Sequence, residues 1–171
     1  PTPLLPPGHF LTVRYGLTWW PLTRHHTRIA LLYLAAITVF FFIGGSFALL
    51  IRLELATPAG DLVSDDTYNK LFTMHGVMMV FFFLIPSIPA TLGNFLVPLM
   101  IGAKDLAFPK LNLASWYIYV LGGLFTLYAL VAGGVDTGWT FYTPFSTVSS
   151  TTNGIPTALG IFITGFSSIL T

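Results

Sequence analysis

Four long apolar runs, joined by short polar stretches, organise this chain of 171 residues. The first, residues 29–53, is about long enough to span a bilayer as a helix, and Gly44 and Gly45 give it a face for close packing. A polar loop, residues 54–70, carries Pro58, Gly60 and three Asp residues. The second run, residues 71–101, is unusually long and is interrupted by Pro86, Pro89, Gly93 and Pro98, so the pattern predicts a tilted or kinked helix. Residues 102–112 form a short loop before a third helix at 113–131. A Gly- and Thr-rich loop over 132–154 leads to a fourth helix at 155–171. The expected fold class is all-α, an integral membrane helical bundle. Residues 29–171 form one transmembrane unit, and residues 1–28 form a Pro-rich interfacial arm with Trp19 and Trp20 and a basic patch of Arg24, His25, His26 and Arg28.

Composition narrows the class. Charged residues make up 8% of the chain, against about a quarter in soluble domains, and mean hydropathy is +0.80. The net charge of +1 with no Lys/Arg block gives no reason to expect nucleic acid as a partner; the bilayer is the partner that composition implies. The absence of cysteine excludes disulfides, thiolate metal sites and thiol catalysis, leaving His, carboxylates and Met as candidate metal ligands. Arg14, Arg24 and Arg28 precede the first helix, while the next loop sets Arg52 and Lys70 against Glu54, Asp61, Asp65 and Asp66. Positive charge on the cytoplasmic side then predicts an N-terminus inside, with Lys104, Asp105 and Lys110 inside and Asp65 and Trp139 outside. No polar flank or cap closes the fourth run, so the chain reads as part of a larger protein.

His75 is the ionisable residue that most needs a reason, because it lies just inside the second apolar run, about one turn below the predicted outer surface. Imidazole is a usual axial ligand of haem iron, and Gly76 beside it removes a Cβ where a flat macrocycle would approach. A histidine hydrogen-bonded within a helix bundle remains open as the other reading.

Three stretches carry a resemblance: Thr73-Met-His75-Gly-Val-Met-Met-Val; Gly93-Asn-Phe-Leu-Val-Pro through Lys104-Asp105 to Asn112; and Thr137-Gly-Trp139-Thr-Phe-Tyr142. Together they resemble the N-terminal third of haem-copper oxidase subunit I, most closely the cytochrome c oxidases with an aspartate-gated proton path. The resemblance extends from Tyr33 to Thr171 and implies about twelve transmembrane helices in the whole subunit. It implies that His75 is one axial ligand of the low-spin haem, haem A, whose second ligand lies outside this chain. Met79, one turn on, would pack against the ring. Arg52 matches an arginine that hydrogen-bonds the haem formyl group, although by position alone snorkelling to the interface is the more common explanation. Glu54 matches a site that holds calcium or sodium in some members; a solvated loop carboxylate is the alternative. Trp139 matches a segment lying against haem propionates, and an aromatic-belt role competes with that.

The same resemblance implies a proton path. Asp105 would collect protons at the inner surface, Asn94 and Asn112 would orient a water chain, and Tyr33, Ser167 and Ser168 would lie higher in it. An interfacial carboxylate and neutral amides suit those roles, since amides order water without trapping charge. A plain loop carboxylate for Asp105, and interhelical packing or back-bonding for the serines, stay open. The chain departs from the family pattern at Lys104, Lys110 and Leu113, and the loop at 57–66 differs in length. The second haem, the copper, and the remaining ligands would belong to the rest of subunit I. The implied partners are a copper-bearing subunit II, subunit III and cytochrome c, in a bacterial plasma membrane or, alternatively, a mitochondrial inner membrane. A quinol oxidase of the same superfamily would share nearly every residue. A nitric oxide reductase relative should lack the Asn94, Asp105, Asn112 set, and a transporter-like bundle would show paired helix breaks where here they cluster in one helix.

Overall fold

A computed structural model describes residues 17–149 and 152–171. Arg14 and the rest of residues 1–16 of the arm lie outside the described residues, as does the side chain of Trp19. Among the described residues every regular element is helical: a 3₁₀ turn at Leu17–Leu22 precedes α1 (His26–Glu54), α2 (Asp65–Ile101), α3 (Pro109–Val131) and α4 (Gly154–Leu170). The first three are long and apolar enough to cross a membrane, and α4 is a shorter apolar helix. The protein is an integral membrane helical bundle, as the pattern of apolar runs predicts.

The helices begin earlier than the apolar runs do, because polar turns continue a helix beyond its greasy stretch. At α1, His25 is the cap, its Nδ1 accepting the Thr27 amide at 3.3 Å. At α2, Ser64 Oγ accepts the Thr67 amide at 3.4 Å, while Asp65 and Asp66 sit favourably at the positive end of the helix dipole. Lys70 pairs with Asp66 one turn back at 2.7 Å. His75 is therefore ten residues, roughly 15 Å, into its helix. The far end of α2 closes on Gly102, whose φ of 67° is the left-handed conformation, with the Ala103 amide returning to the Pro98 carbonyl at 2.9 Å. The loop expected at 102–112 is shortened by α3, which opens on Pro109, a residue whose missing N–H costs nothing in a first turn.

The prolines of α2 widen the helix: two π-helical segments, Met78–Leu84 and Ser87–Gly93, flank Pro86. A proline has no N–H for the carbonyl four residues back, and its ring crowds that carbonyl. For Pro86 the carbonyl in question is Phe82's, and the buried Tyr119 hydroxyl of α3 donates to it at 2.7 Å. For Pro98 it is Asn94's, and the Nδ1–H of the buried His26 donates to it at 2.7 Å from the first turn of α1. Two neighbouring helices thus supply hydrogen bonds that α2 cannot make for itself.

The core around these pins is aromatic. Tyr33 and Phe40 of α1, Phe82 of α2 and Tyr119 of α3 are all buried. Ring centroids are 5.3 Å apart for Tyr33–Tyr119 and 4.9 Å for Phe40–Phe82, spacings at which tilted rings attract. On the other side α3 and α4 pack backbone to backbone. A Cβ on Gly122 or Gly160 would come within 2.8 Å of the other's carbonyl oxygen, so only glycine permits this approach.

Candidate functional site

Two places in the bundle bring together the residues that the sequence singles out, one on the Trp139 side of the Pro86 break and one on the Asp105 side. At the first, His75 is half-buried and turns its Nδ1 to the Gly44 carbonyl of α1, at 2.8 Å. A carbonyl can only accept, so Nδ1 carries a proton, and in the neutral ring Nε2 is then the nitrogen with the lone pair. Glycine lets α1 and α2 close in here: a Cβ on Gly44 would meet Met79 Cγ and Sδ at 3.0 Å. Gly76 is covered by Trp139, whose ring atoms lie 2.6–2.7 Å from where a Cβ would be. The Trp139 loop is held by Thr73, whose Oγ1 accepts the Gly138 amide at 2.9 Å and donates to the Asn69 carbonyl at 3.0 Å. His75, Met79 and Trp139 are thus one cluster, with the glycines at 44 and 76 as its close contacts.

Arg52 and Glu54 lie farther along α1. Arg52 is exposed, eight residues or roughly 12 Å along the helix from Gly44. Glu54 is 8% exposed, and its Oε2 accepts the amides of Leu62 and Val63 at 3.0 and 2.9 Å. That carboxylate clamps the loop between α1 and α2. Among the described residues no group of three or more His, Asp or Glu side chains is arranged to hold a metal ion.

At the second place a line of polar groups crosses a region that is otherwise apolar. Asn112 Nδ2 donates to Asn94 Oδ1 at 2.6 Å, and Asn94 Nδ2 donates to the Ala90 carbonyl at 2.7 Å. Ser115, one turn beyond Asn112, donates to the Asn112 carbonyl at 2.7 Å. The Tyr33 hydroxyl lies 2.9 Å from Ser115 Oγ and 3.1 Å from Ser167 Oγ. Tyr33, Asn94, Asn112, Ser115 and Ser167 are each no more than 2% exposed. Burying an unpaired polar group costs several kcal/mol in hydrocarbon, so this line persists because its members satisfy one another. Asn112 Oδ1 is buried and has no partner among the described residues.

Asp105 and Ser168 stand apart from that line. Asp105 is half-buried in the α2–α3 loop, its Oδ1 accepting the Leu106 amide at 2.8 Å. Its charge reaches His25. Burial first, then His26 and Arg28, hold His25 below its ordinary pKa of 6.5, while Asp105 pulls the other way. Ser168 back-bonds to the Thr164 carbonyl at 3.2 Å, the local bond that competes with any path role.

Comparison with known proteins decides the family. Residues 28–171 match the family described as cytochrome C and quinol oxidase polypeptide I. The chain is 41% identical over 145 residues to cytochrome c oxidase subunit 1 of Synechocystis sp., covering 85% of this chain and 26% of that protein. It is 38% identical over 169 residues to cytochrome c oxidase subunit 1 of Thermostichus vulcanus, covering 99% of this chain and 30% of that protein. The chain belongs to the cytochrome c and quinol oxidase polypeptide I family. It spans between a quarter and a third of the length of those relatives.

A polypeptide I of this family implies haem, and the His75 cluster fits one. An axial ligand uses the lone pair of a neutral imidazole whose other nitrogen is fixed by a hydrogen bond, and the Gly44 carbonyl supplies that hydrogen bond to His75. Ser115 and Thr171 join the polar line although sequence reading did not single them out, and His26, read there as part of the basic patch of the arm, is instead buried in the first turn of α1 and bonded to Asn94. A serine one turn after Asn112 and a histidine at the foot of α1 were the available signals. Pairing them with Asn94 or Tyr33 requires knowing which faces of separate helices meet.

Proposed function

We propose that this chain is the portion of a terminal respiratory oxidase that holds one axial ligand of the low-spin haem and the inner-side proton path for reduction of oxygen to water, coupled to proton pumping. In this reading residues 29–171 belong to one larger transmembrane domain. The N-terminus faces the cytoplasm, and the membrane is a bacterial plasma membrane. The observation that carries it is the Nδ1–H to Gly44 carbonyl bond, which leaves His75 Nε2 as a ligand atom. Bound there, haem A would supply one-electron transfer toward a haem-copper centre formed elsewhere in subunit I. Gly44 and Gly76 let Met79 and Trp139 close in beside His75, and those two side chains would flank the macrocycle. Arg52 would tune its potential by placing positive charge near it.

On the other side of the bundle Asp105 gathers protons at the surface, and Asn94 and Asn112 hold the neck of the path between α2 and α3. Tyr33 and Ser167 continue it with hydroxyls that both accept and donate. The remainder of subunit I, a copper-bearing subunit II, subunit III and cytochrome c complete the assembly. The family's description also covers quinol oxidases, and a copper-bearing second subunit in the purified complex separates the two.

The test is a reduced-minus-oxidised optical spectrum of the complex, for wild type and for His75→Leu at equal subunit level. Complete loss of the low-spin haem band is expected. Unchanged haem bands would make His75 a packing residue and end the proposal.

A further inference from the structure

The junction of α1, α3 and α4 has an imbalance in its hydroxyl protons. Ser115 donates to the Asn112 carbonyl at 2.7 Å, and Ser167 donates to the Ser115 carbonyl at 2.6 Å. Carbonyls only accept, so both serine protons are committed to the backbone, and toward the junction each serine offers lone pairs alone. Two hydroxyls keep a choice. Tyr33 has Ser115 Oγ and Ser167 Oγ before it, at 2.9 and 3.1 Å. Thr171 has Ser115 Oγ at 2.9 Å and the Ser167 carbonyl at 3.1 Å, and its oxygen lies 3.5 Å from the Tyr33 hydroxyl. One proton with two acceptors at nearly equal distance can be moved by turning a single C–O bond, with no heavy atom displaced.

We propose that Thr171 is a positioning residue of the proton path, a hydroxyl rotor that sets the direction in which this junction donates. The inference rests on reading Asp105 through Ser167 as that path. With its proton on the Ser167 carbonyl, Thr171 presents lone pairs to Tyr33 and Ser115. No O–H bond is broken: in this setting Thr171 leaves Ser115 Oγ to the Tyr33 proton, and turned to Ser115 Oγ it competes for that acceptor and favours Tyr33 donating to Ser167 Oγ. A threonine that merely back-bonds to its own helix needs only the Ser167 carbonyl; the contact with Ser115 on α3 is what the rotor adds.

The experiment uses the assembled oxidase containing this chain, reconstituted in vesicles, and measures proton uptake and haem spectra. Thr171→Val keeps the shape and removes the hydroxyl. It is expected to slow uptake about tenfold, the scale of one buried hydrogen bond, with haem bands unchanged. Thr171→Ser restores the hydroxyl and should restore the rate. Should Thr171→Val fail to assemble, Thr171→Ala makes the same comparison against Thr171→Ser. Wild-type uptake in a variant lacking the hydroxyl, while Asp105→Asn is slow, overturns the rotor and leaves the path standing. Wild-type uptake in Asp105→Asn overturns the path and the rotor with it.

Discussion

The two ends of α2 solve opposite problems. Around His75 the Nδ1 is tied to the Gly44 carbonyl, and the glycines at 44 and 76 let Met79 and Trp139 close in. Around Asn94 the polar groups are drawn into bonds with α1 and α3, down to the backbone carbonyls. In the proposed function the first region holds a group that the polypeptide does not supply. The other is more nearly complete in itself, with Asn112 Oδ1, Thr91 Oγ1 and Thr164 Oγ1 among its buried atoms that have no partner among the described residues. In a low-dielectric bundle an open polar atom is costly, and under the proposed function the contrast corresponds to a haem site on one side and a proton path on the other.

If the comparison is right, the two regions fail separately. The largest effect after His75→Leu is expected from Asp105→Asn, which should slow oxygen reduction and weaken pumping by about 10²-fold or more while the haem spectra stay as in wild type. A changed low-spin haem band in that variant would merge the two regions and break the contrast. Tyr119→Phe sharpens it by touching the boundary between them. Without the donor to the Phe82 carbonyl, the π-helical stretch beside Pro86 should lose about 1 kcal/mol, visible as a lower unfolding midpoint in detergent. An unchanged midpoint would mean that the carbonyl is fully satisfied within α2.

The smallest effect concerns pH. His25 caps α1 through an unprotonated Nδ1 and has a lowered pKa, so its contribution is present above its ordinary value of 6.5 and is lost as pH falls through the lower folded value. Wild type should therefore lose thermal stability on acidification below that range. His25→Asn, whose amide oxygen accepts the same bond without titrating, should lose less. Equal acid sensitivity in both would remove His25 from the account.

The apolar runs made α1, α2 and α3 legible, because a span-length stretch of hydrocarbon side chains has few other uses. They hid the turn at Asp65–Lys70, where charged residues continue the helix under a Ser64 cap. The prolines signalled trouble in α2 but not its resolution. Widening into π turns and borrowing donors from α1 and α3 depends on what stands opposite, which no local pattern encodes. His75, Met79 and Trp139 were found from their motifs and do lie together. Tyr33, Asn94, Asn112 and Ser167 likewise converge, whereas Ser168 does not. Adjacent helical residues point about 100° apart, so only one of two neighbouring serines can face the junction. Thr171 escaped notice because nothing in its surroundings is unusual until Ser115, 56 residues earlier, is seen beside it.

Helix α2 takes a hydrogen bond at Phe82 from Tyr119 and another at Asn94 from His26. During synthesis the helix that provides His26 precedes it, but the one that provides Tyr119 follows. A half-made chain holding only α1 and α2 would lack the Tyr119 donor to the Phe82 carbonyl, a loss felt more in hydrocarbon than in water. Pairing with α3 supplies that bond, so the second and third spans gain from entering the bilayer together.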